Sequence, residues 1–280
     1  MAIVTILPQD NLRHIVRHFW YLTMPDLSDE AETYKILSDG SPGIIFQHTE
    51  GHSSVFDVEG NPLPVFFLYG QSTLPCINHI KGASFIFGIN LQPAAFRELG
   101  RMNTSELTNC IVDAEYFFSG SFKDELMNTS DAGHIVRLFG EELVNHISKK
   151  YKPDVLIDES LNLIKKKLTE VNSDMLSSHL YISKRQLQRR FKEFVGVPPE
   201  TYIRIIKFQK SICLLNHRNY TKLGDVGYRL NYADQSHFIR DFKMFSGYTP
   251  KEFIKVSTHQ QPFYSNNNRQ FEPLRILRSY

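Results

Sequence analysis

The chain has 280 residues, 41% of them hydrophobic and 22% charged, with a formal net charge of +2. That length suggests two domains, and the composition argues against a disordered or fibrous chain. No run of ~18 uncharged apolar residues occurs, so no transmembrane helix is expected. Met1 to Pro8 lacks the basic start and long apolar core of a secretory signal. Cys76, Cys110 and Cys213 are too dispersed for a disulfide framework or a zinc cluster, which fits a reducing cytoplasm.

The small net charge hides an asymmetry. Residues 1–164 carry a balance of −10 and residues 165–255 a balance of +10. An acidic part followed by a basic segment of about one domain points to contact with an anionic polymer; the alternative is a set of solvated helix faces.

In chain order, 11–22 reads as a short helix running into a strand through Phe19, Trp20, Tyr21 and Leu22. Strands are expected at 43–48, 54–58, 65–69 and 84–91, which are rich in β-branched and aromatic residues. Turn clusters separate them, at Asp39-Gly-Ser-Pro-Gly43 and at 59–64. Strands at this spacing suggest a small sandwich or barrel. A helix follows at 93–100, with Pro93 at its start and Gly100 at its end. Ala132 to Lys150 spaces Ile135, Leu138, Phe139, Leu143 and Ile147 as an amphipathic helix, closed by Lys149, Lys150, Lys152 and Pro153. It is suited equally to a twin in a dimer or to an intramolecular face. The domain boundary is placed at Tyr151 to Asp154, giving domains 1–153 and 154–257. Residues 258–280 read as a polar tail with Phe271, Leu274, Ile276 and Leu277 as its apolar points.

The basic segment contains a repeat. Ser183-Lys-Arg-Gln-Leu-Gln-Arg-Arg-Phe-Lys192 aligns with Asp234-Gln-Ser-His-Phe-Ile-Arg-Asp-Phe-Lys243, and Gly196, Pro199 and Tyr202 align with Gly247, Pro250 and Phe253. Each unit has the pattern of a helix-turn-helix. A small residue, Ser177 or Gly227, sits where two helices approach. A turn follows at Tyr181-Ile182 or Asn231 to Ala233, and Ser183 or Asp234 caps the second helix. Buried stripes are expected at Leu187, Phe191 and Phe194, and at Phe238, Phe242 and Phe245. These leave Lys184, Arg185, Gln188, Arg189 and Lys192 outward in the first unit, and Gln235, Ser236, Ile239, Arg240 and Lys243 in the second. Arg pairs bidentately with guanine and Gln with adenine, whereas Lys192 and Lys243 suit phosphates. A single helix over Pro199 to Arg218 would hold the units ~27–30 Å apart, close to the spacing of successive major grooves.

Residues 156–255 resemble the C-terminal domain of AraC/XylS-type transcriptional regulators, through 182–193, 232–243 and Gly247-Tyr-Thr-Pro250. The resemblance implies an all-α domain with two helix-turn-helix units joined by a linker helix. Arg185, Gln188, Arg189, Gln235, Ser236 and Arg240 take base-reading positions, and Ser183, Lys184, Lys192, His237 and Lys243 backbone positions. The usual turn glycine is Tyr181 or Asn231, the usual alanine is Ser177 or Gly227, and Lys207 and Ser211 stand where Arg and Ala are usual.

The N-terminal part is similar, more loosely, to the sensor half of one branch of the family, through Trp20, 37–43, Gly70 and 91–96. That implies a cupin-like β-domain with flanking helices that binds a small-molecule effector or supports dimerisation. Trp20, Phe46, Phe67, Tyr69 and Phe87 are the pocket candidates, with plain core as the alternative. His48, His52 and His79 make a poor metal set, and Cys76 and Cys110 are expected to be buried, inert thiols. The fold expected is therefore a two-domain α+β chain. The function expected is that of a cytoplasmic, non-enzymatic regulator without cofactor or metal, acting on double-stranded promoter DNA. RNA polymerase is a further partner, and the protein is a monomer or homodimer. The alternatives are a DNA-targeted cupin-type metalloenzyme, or a regulator controlled by a protein partner.

Overall fold

A computed structural model describes residues 3–24, 31–100, 103–146, 153–217, 220–259 and 276–278. The first part is built on two sheets. Strands β1 (Ile3–Ile6), β2 (Val16–Met24), β4 (Gly43–His48), β6 (Phe66–Tyr69), β8 (Ser84–Leu91) and β9 (Ile111–Asp113) form one sheet in the order β1-β2-β8-β4-β6-β9. Strands β3 (Glu32–Ile36), β5 (Val55–Phe56), β7 (Cys76–Ile80) and β10 (Ile276–Arg278) form the other in the order β10-β3-β7-β5. Both are open among the described residues, so the architecture is the sandwich rather than the closed barrel.

The register of the larger sheet explains which aromatic residues meet. Tyr21, Phe87, Phe46 and Phe66 lie across from one another in adjacent strands. Trp20, Gly88, Ile45 and Phe67 form the next row. Successive residues of a strand point to opposite faces, so the two rows serve different cores. The first faces α2 (Gly120–Met127) and α3 (Ala132–His146), where the Phe87 and Phe139 rings stack at 5.7 Å and Phe66 meets Phe118 at 5.2 Å. The second faces the smaller sheet, with Trp20, Leu22, Tyr34, Val55, Ile80 and Ile86 between the layers.

Helix α3 buries Ile135, Leu138, Phe139 and Leu143 in the first of these cores, so its apolar stripe serves an intramolecular contact. The expected helix at 93–100 is α1 (Ala95–Gly100). Ile147, Lys149, Lys150, Tyr151, Lys152, Arg218, Phe271 and Leu274 lie outside the described residues. The tail contributes β10, whose backbone pairs antiparallel with β3.

The second part is all helical: α4 (Val155–Lys166), α5 (Ser173–His179), α6 (Lys184–Val195), α7 (Pro199–Asn216), α8 (Leu223–Arg229), α9 (Gln235–Ser246) and α10 (Pro250–His259). It has two cores, one around Leu187, Phe191 and Tyr202 and one around Phe208, Phe238, Phe242 and Phe245. Helix α7 contributes to both. Its 18 residues span about 27 Å.

The two parts share a seam. The Thr104 hydroxyl donates to the Glu193 carbonyl at 2.9 Å, and the Thr108 hydroxyl to the Gly196 carbonyl at 2.7 Å. Arg97 pairs with Glu193 at 2.7 Å. The two threonine hydroxyls thus occupy carbonyls at the C-terminal end of α6. The turn after β3 makes the other half of the seam. Leu37 is buried in the core of the second helical unit, and the Gln209 side chain donates to the Ser38 carbonyl at 2.5 Å. Gly40 packs against Tyr202 and Ile206.

Candidate nucleic-acid interface and the adjoining cavity

Each helical unit is set by local chemistry. In the first, the Asn172 side chain accepts from the Met175 amide and caps α5. Ser183 and Gln186 form a reciprocal capping box at the start of α6. In the second, the Asp234 carboxylate accepts from the His237 amide at 2.8 Å and caps α9. Gly196 and Gly247 end the two long helices in the left-handed conformation, at φ 94° and 74°. The turns also match: Tyr181 and Asn231 both have φ 53°. Ser177 and Gly227 occupy the close approach, where a side chain at 227 would stand 3.1 Å from the Phe238 Cβ.

The outward faces follow from the stripes. Lys184, Arg185, Gln188, Arg189 and Lys192 are all exposed on α6, and so are Gln235, Ser236, Arg240 and Lys243 on α9. Ser183 is exposed, with its hydroxyl in the capping box. Lys184 is paired with Asp174 of α5. Arg240 lies along its own helix, its Nε 3.4 Å from the Ser236 carbonyl. Two expected positions differ. Ile239 is half-buried against the second core rather than outward. In the first stripe Val195 is the fully buried residue, whereas Phe194 is half-buried under the Arg97 guanidinium of the other domain, 5.4 Å from its ring.

The second unit contains a charged support absent from the sequence expectations. Asp241, with its side chain 2% exposed, receives two hydrogen bonds from Arg204 of α7, at 2.9 and 2.6 Å. The Asp241 hydrogen bonds hold the Arg204 guanidinium above its usual range, against the opposing cost of burial. His237 stands 3.8 Å from the same carboxylate and packs edge-on against Tyr232, so its ring is turned toward the protein. The missed signal is an acid three residues after Phe238, inside an otherwise apolar stripe. Lys207 donates to the Asn231 carbonyl at 3.3 Å, tying α7 to the second turn.

Between the two sheets lies a cavity of about 320 Å³. Trp20, Phe67 and Tyr69 line it, and Phe46 and Phe87 do not. The latter two are fully buried on the opposite face of the sheet, because they belong to the other row of the register. Asp39 closes one end. Its carboxylate accepts from the Asn90 amide at 2.8 Å and from the Ser41 backbone at 2.9 Å, and Asn90 accepts from the Trp20 indole at 2.9 Å. Burial raises the Asp39 carboxyl, opposed by the nearby Arg17 cation. Tyr69 is likewise raised, by burial and then by Asp39.

The thiols differ from expectation. Cys110 is exposed at the mouth of the cavity, because it lies in a surface turn next to the edge strand β9, while Cys76 is half-buried and raised by burial. The three histidines are not brought together. His79 bonds the Thr33 hydroxyl at 2.8 Å, and His48 accepts from the Gly51 amide at 3.4 Å. Among the described residues no group of three His, Cys, Asp or Glu side chains is placed to hold a metal ion. Among them, too, no helix is long and apolar enough to cross a membrane.

Residues 4–113 match a domain of unknown function (DUF6597), and residues 176–255 match a helix-turn-helix domain. The chain is 36% identical over 95 residues to the F1 operon positive regulatory protein of Yersinia pestis, covering 34% of this chain and 30% of that protein. It is 30% identical over 83 residues to the HTH-type transcriptional activator RhaS of Escherichia coli, covering 30% of each. The chain thus spans about 30% of the length of the curated relatives it matches. Among solved structures, ToxT from Vibrio cholerae is similar with a TM-score of 0.46 and 14% identity, over 84% of this chain and 98% of that one. Residues 176–255 thus match the helix-turn-helix domain family, in keeping with the two helix-turn-helix units described above.

Proposed function

We propose that the chain is a sequence-specific DNA-binding transcriptional regulator whose activity is set by a small molecule held in the N-terminal domain. The observation that carries this reading is the pair of outward faces, α6 and α9, mounted on one rigid helix. Both present Arg and Gln side chains to solvent, with Lys192 and Lys243 at matching positions. Arg185, Gln188, Arg189, Gln235, Ser236 and Arg240 read base edges in successive major grooves. Ser183, Lys184, Lys192, His237 and Lys243 approach phosphates. The Lys184–Asp174 pair is exposed and costs little to exchange for a phosphate. For His237, turning away from Asp241 is part of that role.

In this reading the division falls at 153/154, and the tail begins after α10, which runs two residues past the expected boundary of 257. The partners are double-stranded promoter DNA and RNA polymerase, the protein acts in the cytoplasm as a monomer or homodimer, and it performs no catalysis. The seam supports regulation from the first domain, since it holds the end of α6 and the middle of α7. A ligand that prefers one arrangement of that seam shifts the population competent for DNA.

The test is fluorescence anisotropy of the intact chain on fragments from upstream of its own and neighbouring genes, with random-sequence competitor at two salt concentrations. Selective binding at near-physiological salt is expected. Unselective binding that disappears with salt, in every fragment, would overturn the proposal.

A further inference from the structure

The cavity between the sheets deepens the proposed function, and its ligand chemistry rests on that reading only for the regulatory consequence. The cavity walls are apolar, built by Trp20, Leu22, Ile45, Phe67, Ile80 and Ile86. The volume, about 320 Å³, lies at the lower end of the range for small-molecule sites. The mouth lies at the surface, where Leu74, Cys110 and Ile111 are exposed.

The charged side chains that line this cavity have one sign. Among the residues that line it there is no Lys, Arg or His, and the one carboxylate is Asp39. The Asp39 carboxylate accepts from the Asn90 side chain, the Ser41 amide and its own amide, which leaves about one of a carboxylate's four acceptor directions open. Among the described residues the Tyr69 hydroxyl has no hydrogen-bond partner, and it lies over Gly43 beside Asp39. An anionic ligand would be desolvated there against a carboxylate that burial already pushes up, and the nearest cation, Arg17, already faces that carboxylate. An uncharged donor would meet open acceptors. The Arg17 cation behind Ser41, which it contacts at 2.6 Å, opposes a second positive charge.

We propose that the cavity binds an uncharged, largely apolar molecule whose one polar end donates a hydrogen bond to Asp39, of the alcohol or phenol class and not a carboxylate. The turn that carries Asp39 also carries Leu37, Ser38 and Gly40, which form half of the seam with α7 and the second helical unit. The polar end of the ligand therefore sits on the element that joins the domains.

The protein supplies its own reporter. Trp20 is the single tryptophan of the chain and lines the cavity, one hydrogen bond from Asn90 and two from Asp39. The intact protein is titrated with 1-octanol and with octanoate, a matched pair transparent to tryptophan excitation, and Trp20 emission is followed. The alcohol is expected to shift the emission saturably, at a concentration at least about tenfold below any effect of the acid. Asp39→Asn should shrink that preference to about threefold or less while keeping alcohol binding, since the like charge is gone. Ile45→Phe, which fills part of the cavity, should weaken both probes and keep their ratio. If Asp39→Asn does not fold, the wild-type ratio and the Ile45→Phe series carry the test alone.

Octanoate binding as tightly as octanol, or emission unmoved by either, would overturn the proposal. The anisotropy assay is independent of Trp20. Octanol binding in a protein that never selects DNA would sink the regulator and retain the ligand class. Selective DNA binding with no octanol response would sink the ligand class alone.

Discussion

Asp241→Ala tests whether the second recognition helix is held by its charged support. The side chain removed is 2% exposed and accepts both Arg204 hydrogen bonds, while the Arg204 side chain is 36% exposed. Breaking a fully buried pair costs about 3–5 kcal/mol, because an unpaired charge is left inside. Arg204 still reaches solvent and retains the Met244 sulfur at 3.5 Å and the Phe245 ring at 5.6 Å, so the expected loss is lower, about 2–3 kcal/mol. Because the helical half shares its core with the first domain, the intact chain melts as a larger unit, and the loss corresponds to a melting temperature lower by roughly 4–12 °C. Calorimetry of the intact chain measures it, with Asp174→Ala as control. That variant breaks an exposed pair and should leave the melting temperature unchanged. A companion footprint should show protection lost over one half-site, the one read by α9. A shift within about 3 °C, or equal losses in both variants, would refute the assignment of Asp241 as the support.

Other expectations attach to single residues. Arg189→Ala and Arg240→Ala should each cost about 1–3 kcal/mol of binding and relax one base position, whereas Lys192→Ala should weaken all sequences alike and reduce the salt slope by ~1; discrimination surviving both arginine changes would contradict the base-reading roles. Glu98 is raised from 4.5 to about 7, first by burial and then by Asp158 of α4. In the folded state it keeps its proton to higher pH than in the unfolded one, so stability is fully present below pH 4.5 and is lost as pH rises toward 7. Melts from pH 4 to 8 should show this fall reduced in Glu98→Gln, and parallel pH profiles would count against it. Tyr181, 95% exposed at φ 53°, should gain roughly 0.5–1 kcal/mol on change to Gly in chemical denaturation, because a left-handed tyrosine costs more than the added chain entropy of glycine. Asn231→Gly should gain less, since asparagine tolerates that conformation and its amide donates to the Thr169 carbonyl at 2.8 Å.

The helical units were readable because their determinants are local. Caps, turn residues and stripes at three-to-four spacing lie within a dozen residues, and they place α5, α6, α8 and α9 without tertiary information. The strands 43–48 and 84–91 emerged for the same reason, as continuous apolar runs. Strands β3 and β7 did not, since Glu32-Thr-Tyr-Lys-Ile36 and Cys76-Ile-Asn-His-Ile80 carry polar residues on an intermittently covered sheet. Aromatic composition could not divide Trp20 and Phe67 from Phe46 and Phe87. That division is a property of register, fixed by which strands become neighbours. The seam left no local trace at all. Thr104 and Thr108 are ordinary loop residues until Lys192 to Gly196 arrive nearby, and Leu37 is one more apolar residue before a turn.

Leu37 has a consequence for how such chains are recombined. It fills the hydrophobic interior of the second helix-turn-helix unit from 171 residues away by the measure of its neighbour Ser38, whose carbonyl Gln209 grips. The helical half is therefore not a self-contained building block. Cutting near 153, or grafting this half behind a foreign sensor, withdraws a core residue and opens a slot beside Phe208 and Phe245. A chimera that keeps residues 37–41 with the helices they touch would preserve the interior. One that follows the apparent linker would inherit the defect in every pairing.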